Sequence, residues 1–156
     1  MGFWDKVKSA GSALTGGSAD VKVFVNGEPV LGEPFHVTIS AQMKGDLKVN
    51  RIYLLMKAWE EVKADGIEIE YENGQQEIER EMVHKIVDTF NTEIDVDGAQ
   101  ELETGETYEW TVEVNVPTDY NGTYRGVHAR HEWQLYAGLD AFGNDPDSGW
   151  VGFEIY

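Results

Sequence analysis

The feature that most restricts this chain is a two-residue alternation. It is clearest in RGVHARHEWQLYAGLDAFGNDPDSGW, residues 125–150, the densest run of strand-forming aromatics in the sequence. Between residues 128 and 137, His128, Arg130, Glu132, Gln134 and Tyr136 fall on one strand face, and Ala129, His131, Trp133, Leu135 and Ala137 on the other. One face is polar and the other more apolar. A strand wet on one side and packed on the other belongs to an antiparallel sandwich, because parallel sheets are covered on both faces.

The same period recurs along the chain. Val21, Val23 and Val25 alternate with Lys22 and Phe24 before the Asn26-Gly27 turn signal. Phe35, Val37, Ile39 and Ala41 alternate with His36, Thr38 and Ser40; Pro29 and Pro34 confine this strand to an edge or place them at its start, since proline cannot donate to a ladder. Residues 48–62 form the longest strand candidate, apolar on both sides and so expected to be central. GIEIEYENGQQEIERE reads as a hairpin around Asn73-Gly74. Ile78, Met82, Ile86 and Phe90 then recur every fourth residue, which fits a helix or one face of a strand; the preceding turn and the β-branched residues around them favour the strand. After a turn-rich acidic connection at 95–106, Tyr108, Trp110, Val112, Val114 and Val116 alternate up to Pro117. A short strand, VGFEIY, closes the chain. Seven or more short strands separated by turns predict an all-β, antiparallel immunoglobulin-like sandwich over residues 18–156, with Trp110, Trp133, Leu135 and Leu54 in its core.

Residues 1–17 have a different period. Phe3, Val7, Ala10 and Leu14 recur at helical spacing, with Trp4 and Gly11 beside them, and Gly16 and Gly17 stop the helix and act as a hinge. An isolated helix of about 13 residues is marginal in water, so its apolar stripe needs a cover. Three covers are open: the chain's own sandwich, another protein (self-association included), or a membrane surface, where Phe3, Trp4, Val7 and Leu14 enter the interface and Lys6 and Lys8 meet anionic headgroups. Two lysines add on the order of 1 kcal/mol each, and the acidic body is repelled by the same surface, so membrane binding through this stretch is expected to be weak and reversible.

Charge narrows the partners. Asp and Glu number 29 against 12 Lys and Arg, a formal net charge of −17, which opposes the phosphate contacts that nucleic-acid binding needs. The first reading of such a surface is solubility, including in a salty environment, and the second is a basic partner. The sequence has no cysteine, which removes thiolate catalysis, cysteine-rich zinc sites and iron–sulfur clusters. No apolar run approaches the ~18 residues of a membrane-spanning helix. The N-terminal stretch, with Asp5 and two lysines where an export signal is apolar, predicts an unprocessed, cytoplasmic chain.

Few residues invite chemistry. His128 and His131 lie three apart and so on opposite strand faces, unable to share one ion without a bulge. Asp140, Asn144, Asp145 and Asp147 offer oxygens to a hard cation such as calcium but lack the spacing and closing Glu of an EF-hand; a plain Asp/Asn/Pro/Gly turn accounts for them. There is no nucleophile elbow and no Gly-rich phosphate loop before a helix, and carboxylate pairs are too common here to indicate a glycosidase. No catalytic residue, metal site or cofactor is assigned.

Two stretches together resemble arrestin-like proteins. GEPVLGEPFHVTIS, followed by a long strand ending in charge, resembles the first strands of that family. LETGETYEWTVEVNVPTDYNG followed by HEWQLYAGLDAFGNDPD resembles its later pattern of a glycine–acid turn, an alternating strand ending at proline, a loop and a strand closing on an Asp-rich turn. The bacterial sporulation-control type is the most similar, and the retromer subunit of the same fold more distant. The likeness covers about residues 20–156, one domain where longer members have two. It implies a non-enzymatic scaffold or adaptor that binds proteins; no partner-binding residues carry over. From the residues themselves, the competing expectation is a carbohydrate-binding or hydrolytic sandwich, in which exposed Trp and Tyr with carboxylates line a sugar groove.

Overall fold

The computed structural model describes residues 17–156; the N-terminal helix expected over Phe3, Trp4, Lys6, Val7, Lys8 and Leu14 lies outside the described residues. Two antiparallel sheets face each other across one apolar core. The first holds β1 (Ala19–Asn26), β2 (Phe35–Met43) and β6 (Thr107–Val114) in the order β1-β2-β6. The second is built on β3 (Leu47–Glu72), flanked by β4 (Gln75–Asp97) and β8 (Ala129–Ala141), with β7 (Tyr124–Arg125) and β9 (Val151–Phe153) on β8 and β5 (Gln100–Leu102) on the start of β3. The expected all-β antiparallel sandwich is the fold observed.

Alternation decides which side chains meet. Val21, Val23 and Val25 of β1 and Val37, Ile39 and Ala41 of β2 point inward, opposite Ile52, Leu54, Met56 and Ala58 of β3 and Trp133, Leu135, Ala137 and Leu139 of β8. Burying a Val-, Leu- or Ile-sized side chain contributes roughly 1.5–3 kcal/mol, so this interleaved layer is the main stabilising term. β3 is central, as its two apolar faces predict, and Pro34 stands immediately before β2. The Asn26-Gly27 signal does mark a turn, with Gly27 at φ 78°, but it opens a longer connection whose Leu31 and Gly32 amides donate to the carbonyls of Tyr156 and Val116.

Trp133, Leu135 and Leu54 are in the core as expected; Trp110 is not fully enclosed. It sits on β6, whose only strand partner among the described residues is β2, and the indole packs on the core from this edge, stacked 6.1 Å from Tyr108. A second correction concerns Ile78, Met82, Ile86 and Phe90. They are in a strand, as the turn predicted, but not on one face. Ala58 pairs with Phe90 while Trp59 pairs with Asp88, so Thr89 is an extra residue in β4. This bulge turns Phe90 inward, where its ring lies 5.1 Å from Trp133 and 4.9 Å from Tyr120, and leaves the other three facing outward. The stretch read as an acidic connection at 95–106 is also more ordered than expected: β4 continues to Asp97, and Leu102 of β5 is buried.

Candidate interaction surface

The two strand candidates around residue 62 are one strand. Nothing in Lys63, Ala64, Asp65 or Gly66 breaks pairing, so β3 runs for 26 residues and returns through β4 for 23. β8 accompanies β3 only to Val62, and beyond that point the two strands project as a ribbon. Asn73 at φ 54° and Gly74 at φ 77° form its tip, the two left-handed residues that a type I′ turn requires. Every residue from 67 to 88 is exposed.

The turn fixes the register, and the register separates two chemistries. Ile69 lies opposite Ile78, Ile67 opposite Arg80, Tyr71 opposite Gln76 and Asp65 opposite Met82, so Ile67, Ile69, Tyr71, Ile78, Met82 and Ile86 share one face. On the other face Glu68 lies opposite Glu79, Glu70 opposite Glu77, Glu72 opposite Gln75 and Glu81 opposite Gly66. One face of the ribbon is therefore an apolar stripe and the other carries six carboxylates. At its base Glu61 accepts from His84 at 3.3 Å and Arg130 at 3.2 Å, and these contacts, His84 first, hold its carboxyl below the usual range.

The outer face of the sandwich is polar but internally satisfied. Arg51 reaches Asp95 at 2.6 Å, Glu93 at 3.1 Å and Asp140 at 3.4 Å, with its guanidinium 4.7 Å from the centre of the Tyr53 ring. Arg125 grips Glu132 at 2.9 and 3.0 Å and Glu154 at 2.9 Å. The loop after β8, weighed above for calcium, spends its carboxylates on protein donors. Asp140 is paired to Arg51; Asp145 accepts from the Tyr53 hydroxyl at 3.0 Å and the Ala141 amide at 3.0 Å; Asp147 accepts from the Gly149 amide at 2.8 Å. Burial and Asp145 push the Tyr53 phenol well above its ordinary range, and burial with Asp147 pushes that of Tyr136 up to about 12. The loop is a latch on the sheet's outer face. Among the described residues, no group of three His, Asp or Glu side chains is arranged to hold a metal ion.

His128 and His131 are apart, but His128 lies in the bend before β8 rather than in the strand expected from it. His128 is exposed, whereas His131 is buried and bonded at both ring nitrogens, Nδ1 donating to the Gly122 carbonyl at 3.0 Å and Nε2 lying 2.7 Å from the hydroxyl of the bulge residue Thr89. The aromatics weighed for a sugar groove gather only in part: Trp150 meets Tyr136 at 5.3 Å, and Tyr136 stacks 6.4 Å from Tyr53, while the others are scattered. Tyr71 is near the ribbon tip, Tyr124 is on β7, and Trp150 is in the last loop with Lys57 Nζ 4.1 Å from its ring centre. No described helix is long and apolar enough to cross a membrane. The hairpin expected around Asn73-Gly74 is present; the sequence expectation misses its continuity with residues 48–62, which makes it a projecting ribbon.

No protein-family model matches the chain, and no curated protein matches it. Among solved structures it is similar to Spo0M, the sporulation control protein of Bacillus subtilis, with a TM-score of 0.57 and 15% identity over 89% of this chain. The chain spans 49% of the length of that protein. The likeness is one of fold: this chain folds as the arrestin-like sandwich of Spo0M.

Proposed function

We propose that this chain is a non-enzymatic, arrestin-like scaffold that works by binding other proteins and uses its projecting ribbon as the principal contact surface. The observation that carries this reading is the division of chemistry on the ribbon: a sheet face with Ile67, Ile69 and Ile78 turned to water, backed by a face of carboxylates. Contiguous exposed apolar surface rimmed by polar groups marks an interaction site, and the acidic face suits a basic partner. Spo0M, which shares the fold, is described as a sporulation control protein. Residues 1–17, with Phe3, Trp4, Val7 and Leu14 flanked by Lys6 and Lys8, serve as a second, weaker attachment to a membrane surface or another chain, and the protein acts in the cytoplasm.

The test is a capture experiment with the intact chain, the chain lacking residues 1–17, and Glu70→Lys/Glu77→Lys. A defined protein held by the intact chain and released by charge reversal on the ribbon supports the reading. Binding on a glycan array, or turnover of a sugar substrate, overturns it in favour of the carbohydrate-binding alternative.

A further inference from the structure

We infer that two copies of this chain associate through the apolar faces of their ribbons. A two-stranded hairpin is marginally stable in water on its own and needs a covering layer. Here the need is greater, because Glu68 opposes Glu79 and Glu70 opposes Glu77, and like charges directly across a ladder destabilise it. Yet the ribbon continues, paired throughout, to Glu72 and Gln75.

The chain's own first residues fall short of the outer part of this face, at Ile67, Ile69 and Ile78. They lead into β1 at Ser18, whose carbonyl accepts from the Lys44 and Gly45 amides just before β3. From Leu47 to Ile69 the strand advances about 70 Å, whereas residues 1–16 reach about 55 Å even when fully extended. A lipid bilayer is disfavoured by charge. The six glutamates behind the stripe and the net charge of −17 are repelled by an anionic leaflet.

A second copy meets neither obstacle. Between Lys63 and His84 the apolar face carries Lys63 and Arg80 against Asp65, so it is a part of this acidic chain where two copies can touch without like-charge repulsion. Arg51, Arg125 and Arg130 are all engaged in ion pairs, whereas Arg80 makes none among the described residues and is available across an interface. Face-to-face packing sets the two ribbons about 10 Å apart and turns both rows of glutamates outward. The six stripe side chains are 51% to 76% exposed, and covering them with the backbone between removes an area of the order of the ~800 Å² per partner of a standard stable interface. Tyr71 and Met82 are of the types enriched at such interfaces. The association is isologous, each copy offering the same patch.

Sedimentation equilibrium of the full chain tests this. The expected result is a concentration-dependent dimer of the 17.5 kDa chain that tightens as salt screens the acidic bodies. Ile69→Lys/Ile78→Lys is expected to give monomers with the near-ultraviolet signature of the Trp133 core unchanged, because both positions are exposed in the single copy. Glu70→Lys/Glu77→Lys, on the opposite face, is expected to leave the dimer intact. A wild-type chain that stays monomeric at high concentration and salt overturns the inference. So does a dimer that survives the isoleucine substitutions, or one lost on deleting residues 1–17. A dimer covers the apolar face and leaves the acidic face for a basic partner, so capture of a different protein, read out by charge reversal at Glu70 and Glu77, is tested separately.

Discussion

Tyr53 lies across the backbone of Gly138, its cross-strand partner on the outer face of the large sheet. A methyl group at 138 meets the phenol carbon and oxygen of that ring at a separation real Cβ atoms do not adopt. The bare glycine lets the ring pack down on β8 while its hydroxyl donates to Asp145. This pair fastens the loop after β8 to the sheet, because the other Asp145 oxygen holds the Ala141 amide.

Gly138→Ala is therefore expected to lower stability by about 1–3 kcal/mol, the usual cost of overpacking, as the Tyr53 ring is displaced from its bond to Asp145. Tyr53→Phe removes only the hydroxyl and is expected to cost about 1 kcal/mol. Denaturant melts of the two variants and their combination check the relationship. The double variant should lose less than the sum, since both substitutions break the same contact.

The two tryptophans on the interior side should respond unequally. Trp133 is fully enclosed and its Nε1 donates to the Asn121 carbonyl at 3.0 Å, so Trp133→Ala is expected to cost about 3–5 kcal/mol. Trp110 keeps solvent contact at an edge strand, and Trp110→Ala is expected to cost less than half as much. Equal losses in urea melts contradict the edge placement.

What the sequence made legible follows from what it encodes locally. Strand alternation gave the inward sets of β1, β2 and β8, and Asn73-Gly74 gave the tip of the ribbon, because both depend on neighbouring residues alone. The bulge at Thr89 depends on the partner strand, and no local pattern announces it; hence Phe90 was grouped with Ile86 although the two face opposite ways. The exposure of Trp110 was hidden for a similar reason, since alternation gives a residue's face but not whether its strand has a neighbour on both sides. The ribbon's length depends on Lys63 to Gly66 staying paired, although Asp65-Gly66 is a turn dipeptide and none of the four is a strong strand former.

Alkaline pH offers a check on the latch. The Tyr136 phenol is raised from its ordinary 10.0 to about 12, chiefly by burial and then by Asp147, so the folded chain keeps a proton that the unfolded chain releases. A raised value means stability that is complete below pH 10 and is lost as pH climbs through about 12. Tyr53, shifted in the same direction, adds to that loss. Melting temperatures across this window are expected to fall more steeply for the parent than for Tyr136→Phe. Parallel slopes contradict the assignment.

The acidic face of the ribbon permits a test of the opposed glutamates. Glu70 and Glu77 face each other across the ladder with Glu68 and Glu79 as the next pair along the same face, and nothing beyond the strands shields them from one another. Replacing one member by a cation turns a repulsive cross-strand pair into an attractive one, a change worth about 0.2–1 kcal/mol at such a position. Because all these side chains are exposed, the gain is local to the ribbon and is screened by salt, whose Debye length falls to about 3 Å at 1 M. Glu77→Lys is therefore expected to slow amide hydrogen exchange at residues 67–80 in low salt, to leave exchange at the core strands β2 and β8 unaltered, and to match the parent at high salt. Unchanged protection of the ribbon in low salt removes the repulsion argument and, with it, one reason the ribbon needs a covering partner.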